Sequence, residues 1–296
     1  MRLTDAPELH IKAGEFLVKI CLPIFMIALL AGCGGRASTS PMASASATST
    51  STSANTSTAA AEGNTIRDLQ ASSGWNGYAL LPPGYGICGS CAPGGPQTTW
   101  STIQSVSSPS LSGKSTQFTI GGKTTYSDVL WNNHLIGQFS SQGMPDTDNS
   151  INSSSHNFVY DVYFFGNNIG AAQALEFDIN QFVGGQSYIW GHQCRIAGGN
   201  EWDVWDNPGQ KWRPTGVPCN PLNNGWNHLT IRVQRTSDGH LLFQSISLNG
   251  NTSTVNRYDT PTSSSWSGVT VNYQQDGNYK QQSYSIWLDK LNFQYW

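Results

Sequence analysis

Alternating apolar and polar residues recur along the second half of the chain, and this period-two pattern limits the fold more than any other feature. Successive side chains of a β-strand point to opposite faces, so alternation predicts half-buried strands. Helix signals are nearly absent, and Asp238-Gly239 predicts a hairpin turn. The predicted strands cover residues 157–165, 173–182, 186–195, 201–206, 226–234, 241–248, 269–273 and 283–293. We therefore expect an all-β protein, an antiparallel two-sheet sandwich.

Part of this pattern resembles a known superfamily. The stretch from Trp226 to Gly250 contains a Trp-x-x-Leu-x-Ile strand, a hairpin and a second strand ending in Asn-Gly. The segment Ser285–Leu291 resembles a last jelly-roll strand. Together they resemble the concanavalin A-like lectin/glucanase superfamily over about residues 115–296. The resemblance implies a jelly roll with a concave glycan-binding sheet, although fold alone does not establish function.

The N-terminus predicts export. An apolar run, Ile20 to Leu30, leads into Leu30-Ala31-Gly32-Cys33, which resembles the lipobox of bacterial lipoproteins. The resemblance implies a signal peptide over 1–32 and lipidation of Cys33; a plain cleaved signal is the alternative. Acidic residues near the start suggest either an atypical signal or a start codon placed too early. By the same resemblance, Gly34 permits an outer-membrane or cell-surface location in the cell envelope.

Beyond the cysteine, residues 33–63 predict a disordered linker, because Ser, Thr and Ala cannot bury enough apolar area to offset chain entropy. Residues 64–296 have the length of one large β-domain, and we expect a monomer. This body holds all eleven tryptophans, many amides and little charge, and the formal net charge of the chain is −3. That composition argues against nucleic acid, which requires a basic surface, and favours a polysaccharide or oligosaccharide.

Four cysteines remain in the body. An even number outside the cytoplasm predicts disulfides, and we expect Cys88–Cys91 and Cys194–Cys219. A redox motif or half of a zinc site is the alternative for the Cys-x-x-Cys pair. We expect no cofactor. Asp146-Thr147-Asp148-Asn149 has oxygen ligands at calcium-like spacing, so a solvated loop and a structural calcium site are both possible.

Two enzymatic interpretations compete with binding. Glu176-Phe177-Asp178-Ile179-Asn180 resembles the Glu-x-Asp-x-Glu strand of superfamily glucanases. Glycoside hydrolysis usually needs two carboxyl groups, and Asn180 replaces the acid/base glutamate. Glu201 or Asp203 is a possible substitute from a neighbouring strand.

A polysaccharide lyase is the second enzymatic interpretation. The run from Tyr273 to Gln281 resembles the Tyr-Phe-Lys-x-Gly-x-Tyr-x-Gln strand of alginate-lyase-type jelly rolls, which implies a role for Tyr279. His192 is the candidate histidine. Gln275 stands at the family lysine and Ala174 at the family arginine, so the motif is incomplete.

Non-catalytic carbohydrate binding is the interpretation we favour, with a structural or adhesion role as the remaining alternative. Aromatic rings stack on sugar faces, while amides and carboxylates bond the hydroxyl rim. The candidate ligand-binding residues are Trp190, Gln193, Trp202, Asp203, Trp205 and Trp212. The tryptophans could instead be core, and His192 could be a hydrogen-bonded sheet residue.

Overall fold

The computed structural model describes residues 63–82, 84–91 and 97–296. The predicted signal peptide, Cys33 and nearly all of the predicted linker lie outside the described residues. The strands, in chain order, are β1 (Asn64–Ile66), β2 (Asn76–Leu81), β3 (Gly86–Cys88), β4 (Thr98–Val106), β5 (Ser115–Gly122), β6 (Asp128–Gly137), β7 (Asn157–Gly166), β8 (Ala172–Val183), β9 (Gln186–Trp190), β10 (His192–Arg195), β11 (Glu201–Asp206), β12 (Lys211–Pro218), β13 (Trp226–Arg235), β14 (Leu241–Leu248), β15 (Asn251–Asp259), β16 (Thr262–Ser263), β17 (Gly268–Gly277) and β18 (Tyr284–Tyr295). One short helix, α1 (Ser150–Ser154), and two 3-10 turns (Leu69–Ala71 and Ile169–Ala171) complete the described part.

The strands form two antiparallel sheets. The eight-stranded sheet has the order β15-β14-β13-β7-β18-β5-β4, with β1 beside β18. The ten-stranded sheet has the order β12-β11-β10-β8-β17-β6-β2-β3, with β9 paired to the end of β8 and β16 paired to β9. The expected all-β antiparallel sandwich is confirmed. None of the helices in the described ranges is long and apolar enough to cross a membrane.

The core lies between the sheets and follows the predicted alternation. Phe158, Tyr160, Val162 and Phe164 of β7 are buried, as predicted from their shared face. The ring of Phe177 in β8 lies 5.3 Å from that of Tyr273 and 5.4 Å from that of Phe164. Such aromatic contacts add to the free energy gained by removing apolar area from water.

The observed strands differ from the predicted ones where one residue interrupts the pattern. The strand predicted over 186–195 is divided at Gly191 into β9 and β10. The strand predicted over 269–273 continues to Gly277, because Gln275 occupies an inward position that the pattern reserves for an apolar side chain. Strands β4 and β15 were not predicted, because they lie at the exposed edges of their sheet and have mostly polar residues on both faces.

Both expected disulfides are present. Cys194 in β10 pairs with Cys219, which follows β12, with Cα atoms 5.6 Å apart; Cys88 in β3 pairs with Cys91 at 5.8 Å. Closing the loop between Cys194 and Cys219 limits the unfolded chain and contributes about 3.5 kcal/mol in the chain-entropy model. This disulfide therefore ties the strands β10 to β12 together at one end of the ten-stranded sheet.

Candidate functional site

The outer face of the ten-stranded sheet carries a largely polar surface, in which Leu130 of β6 is an apolar neighbour of Gln274. Strand register aligns Asn132 of β6, Asn272 of β17 and Asp178 of β8 in one row. The next row aligns Gln274 of β17 with Glu176 of β8, and Gln193 of β10 stands opposite Glu176 on its other side. Along the middle of β8 and β17, the outward side chains are polar, and most of the inward side chains between them are apolar.

This polar surface is largely covered. Glu176, Asp178, Asn272 and Gln274 are each only 6 to 8 % exposed. Covered polar groups must find partners within the protein or in a bound molecule, because desolvation without a partner is costly. We call this surface, made of the outward residues of β6, β17, β8 and β10, the polar floor.

Four carboxyl groups lie on three adjacent strands of the polar floor: Asp128, Glu176, Asp178 and Asp276, here the carboxyl quartet. Glu176 donates a side-chain hydrogen bond to Asp276. Asp276 also accepts from the Gln274 amide at 2.8 Å and stands opposite Asp128 in the register of β17 and β6. The two carboxyls of the Glu176–Asp276 pair therefore share a proton rather than ionise together.

Burial raises the pKa of every member of the carboxyl quartet. It raises the pKa of Asp178 and of Asp276 to about 7. The pKa values of Glu176 and Asp128 lie well above their usual range, first through burial and then through the charge of neighbouring carboxylates. The backbone N–H of His192 donates to Asp178 at 3.1 Å and partly opposes the shift. The site can thus hold a protonated carboxyl beside an ionisable one near neutral pH.

The polar floor also contains amides that the protein leaves unpaired. The side-chain oxygens of Asn132, Asn180 and Asn272 are buried and have no hydrogen-bond partner among the described residues. Tyr160 and Trp190 have unpaired polar atoms too, but these face the opposite sheet in the core. The three amides instead lie on neighbouring strands of one outward face, next to Asp178.

A charged network borders the polar floor at β10 and β11. The guanidinium of Arg195 donates to Asp203 at 2.8 Å and to Glu201 at 3.0 Å, and Gln193 donates to Asp203 at 2.9 Å. Glu201 lines a cavity of about 400 Å³ with neighbours that include Asn200 and Pro218. Glu201 and Asp203 are thus paired with Arg195, whereas no Lys or Arg in the described ranges pairs with the carboxyl quartet.

Two of the predicted ligand-binding tryptophans lie on the outward face, and two do not. Trp205 and Trp212 are partly exposed, contact each other with ring centroids 5.2 Å apart and cover Gly191. Trp190 and Trp202 are fully buried between the sheets. Their large apolar rings fill the core, so the ligand-binding role expected of them is corrected to packing.

The histidine and tyrosine expected of a lyase are not brought together. His192 is 1 % exposed and faces the core, with Nδ1 3.0 Å from the carbonyl oxygen of Trp190 and its ring against Phe243. Burial lowers its pKa to about 3, so the ring is neutral. Tyr279 is 60 % exposed in the turn between β17 and β18. The alternative of a hydrogen-bonded sheet histidine describes His192 better than a catalytic base.

Sequence reasoning missed Asp128, Asp276 and Tyr85. Asp276 lies beyond Gln275, where the predicted strand had already ended. The polar residues at every second position, Thr270, Asn272 and Gln274, are the signal that could have identified it, because the series continues to Asp276. Asp128 begins β6, which the sequence did not predict. Tyr85 lies in a Gly- and Pro-rich segment without strand signals; burial and the charges of Asp128, Asp276 and Glu176 raise its pKa to about 12.

Within the described ranges, no group of three or more His, Cys, Asp or Glu side chains is arranged so that it could hold a metal ion. In the predicted calcium-like loop, the Asp146 carboxylate accepts the backbone N–H groups of Ile151 and Asn152 at 3.2 and 2.6 Å. It therefore acts on the first turn of α1, in the manner of a helix cap.

Known proteins resemble this chain in fold rather than in sequence. No protein-family model matches it, and neither does any curated protein. The endo-β-1,4-glucuronan lyase from the fungus Trichoderma reesei is similar over 77 % of this chain and 94 % of its own, at 12 % identity and TM-score 0.45. An alginate lyase variant in complex with an alginate trisaccharide covers 60 % of this chain and 80 % of its own, at 13 % identity and TM-score 0.39. Lectin II from Ulex europaeus covers 69 % and 95 %, at 12 % identity and TM-score 0.39. These neighbours are carbohydrate-active jelly-roll and β-sandwich proteins.

Proposed function

We propose that this protein binds a polysaccharide on the polar floor of its ten-stranded sheet. The observation that carries the proposal is the set of unpaired amide oxygens of Asn132, Asn180 and Asn272 on adjacent strands. An unpaired buried polar group costs about 1 to 3 kcal/mol, which a hydroxyl-rich ligand recovers by donating to it. The partly exposed rings of Trp205 and Trp212 supply a flat apolar surface beside the floor, as sugar rings require.

Replacing Asn272 with Leu tests this proposal. We expect the glycan Kd to rise about tenfold or more, because the floor loses one hydrogen-bonding group. Stability is expected to stay equal or rise, since an unpaired buried amide is removed. Retention of the full-length chain on a panel of insoluble polysaccharides identifies the ligand, and titration with its soluble fragments then measures the Kd.

The matched control is Asn292→Leu, on the outer face of the opposite sheet. It makes the same chemical change away from the polar floor and is expected to leave the Kd unchanged. A wild-type protein that no polysaccharide retains, or an Asn272→Leu variant with unchanged Kd, would contradict the proposed binding face.

Glycoside hydrolysis is the second candidate function. The shared proton of Glu176 and Asp276 beside Asp178 favours it, because hydrolysis needs one carboxylic acid and one carboxylate near the same bond. Asp178, two residues from Glu176 on the same face of β8, then supplies the second carboxyl that Asn180 cannot. A lyase built on Tyr279 and His192 has no comparable support, because one side chain faces solvent and the other the core.

We further propose that Cys33 carries a lipid that holds this domain at the cell envelope, where it can reach external polymers. The sequence Leu30-Ala31-Gly32-Cys33 after an apolar run supports this. Cys33→Ser is expected to abolish fatty-acid labelling and to release the protein from the membrane fraction. Cys21→Ser, within the apolar run, is the control and is expected to retain both. Labelling that persists in Cys33→Ser would refute the anchor.

A further inference from the structure

We propose that the carboxyl quartet binds the ammonium group of an amino sugar, so that the preferred ligand is a cationic glycan. This inference rests on the proposed carbohydrate-binding function and specifies the substrate class of the same face. It also distinguishes the ligand from the uronate polymers that a lyase would take.

The first argument is that the carboxyl quartet has no basic partner. Asp128, Glu176, Asp178 and Asp276 lie on three adjacent strands, and none of them forms an ion pair with a Lys or Arg of the described ranges. Arg195 lies on the next strand but is held by Asp203 and Glu201. Without a counter-charge these buried carboxyl groups keep their protons near neutral pH, and a bound ammonium group supplies the charge that lets one of them ionise.

The second argument is an unpaired group beside the carboxylates. Asn272 is 6 % exposed, stands opposite Asp178 in the strand register, and its side-chain oxygen has no partner. Asn180, 9 % exposed, follows Asp178 by two residues on the same face and is also unpaired. An ammonium group has three N–H donors, enough for a carboxylate and an amide oxygen together.

The same carboxyl groups disfavour other sugars. A uronate would place its carboxylate beside the quartet, where no Lys or Arg of the described ranges pairs with it. A neutral or N-acetylated sugar can satisfy the amides but leaves the carboxylates without a counter-charge. The other titratable groups around the floor are Tyr78 and Tyr85, whose pKa values are raised to about 12, and His134, whose pKa burial lowers. All three are uncharged at neutral pH, so none neutralises the quartet.

The test compares oligosaccharides of equal length and linkage built from glucosamine, N-acetylglucosamine, glucose or glucuronate. Titrations use the full-length chain near pH 7, where the amine still carries a proton and the pKa values of Asp178 and Asp276, raised to about 7, allow a carboxylate. We expect the glucosamine oligomer to bind at least about tenfold more tightly than the N-acetylated and glucose forms, and the glucuronate oligomer to bind most weakly.

Isosteric variants then assign the preference to the quartet. Asp178→Asn and Asp276→Asn are each expected to reduce the preference for the amine about tenfold, while Asp161→Asn on the opposite sheet preserves it. Equal or tighter binding of the neutral or uronate forms would overturn this inference but leave glycan binding intact. A preference that both quartet variants retain would overturn it too. Failure of every sugar to bind would overturn the proposed function as well.

Discussion

Raising the pH from about 6.5 to about 8.5 is expected to lower the free energy of unfolding by several kcal/mol and the melting temperature by about 10 °C. Burial raises the pKa of Asp178 and Asp276 to about 7, and it raises the pKa values of Glu176 and Asp128 well above their usual range. In the unfolded chain all four ionise near pH 4. The folded state therefore binds more protons, and its stability falls as the pH rises through the folded pKa values.

The size of the effect follows from proton linkage. Each carboxyl that stays protonated only in the folded state contributes a slope of about 1.4 kcal/mol per pH unit. Buried His192 and His134 have lowered pKa values and act in the opposite direction, but only below about pH 6.5, where an unfolded histidine gains its proton. The window above that pH therefore isolates the carboxyl quartet.

Denaturant titrations at several pH values measure the slope. Asp276→Asn is expected to reduce it and to stabilise the protein at about pH 8, because the amide keeps a hydrogen bond without a charge. Asp161→Asn on the opposite sheet is the control and is expected to keep the wild-type slope. A stability that is flat or rises across this window would mean that the quartet is already ionised in the folded protein.

Replacing Glu176 with Gln is expected to slow glycan hydrolysis by about 10²- to 10⁴-fold, the usual contribution of a general acid. Glu176 carries the proton of the Glu176–Asp276 pair, and an amide cannot transfer it to a leaving oxygen. Binding of a neutral glycan is expected to persist, because Gln preserves the shape and the hydrogen-bonding capacity of the side chain. New reducing ends from β-glucans, xylans and glucosamine polymers measure the rate.

Two controls make this second prediction specific. Glu201→Gln changes the other glutamate of the body, which pairs with Arg195 outside the quartet, and is expected to retain hydrolysis. Double-bond absorbance after incubation with uronate polymers monitors eliminase activity in parallel. If the wild-type protein releases no reducing ends from any polymer, hydrolysis is excluded for those polymers, and the binding proposal stands on its own test.

Local chemistry was enough to predict much of the fold. The predicted strands over 201–206 and 241–248 match β11 and β14, because hydrophobic alternation directly reflects which side of a strand faces the core. Glu176 and Asp178 were identified for the same reason, since residues two apart on a strand share a face. The alternation did not predict β6. It also did not predict the end of β17 beyond residue 273, because polar side chains there occupy positions on both faces.

The strand chemistry, the disulfide partners and the face that carries Glu176 can be read from residue order, because each depends on neighbours along the chain or on the pairing of a few cysteines. Which residues lie beside Glu176 and Asp178 depends instead on how distant strands pair in the folded sheet. Asp276 and Asp128 reach Glu176 through the lateral register of β17 and β6, about 100 and 50 residues away in the chain. Likewise, Trp190 and Trp205 have the same side chain, and sheet packing alone places the first in the core and the second beside the polar floor.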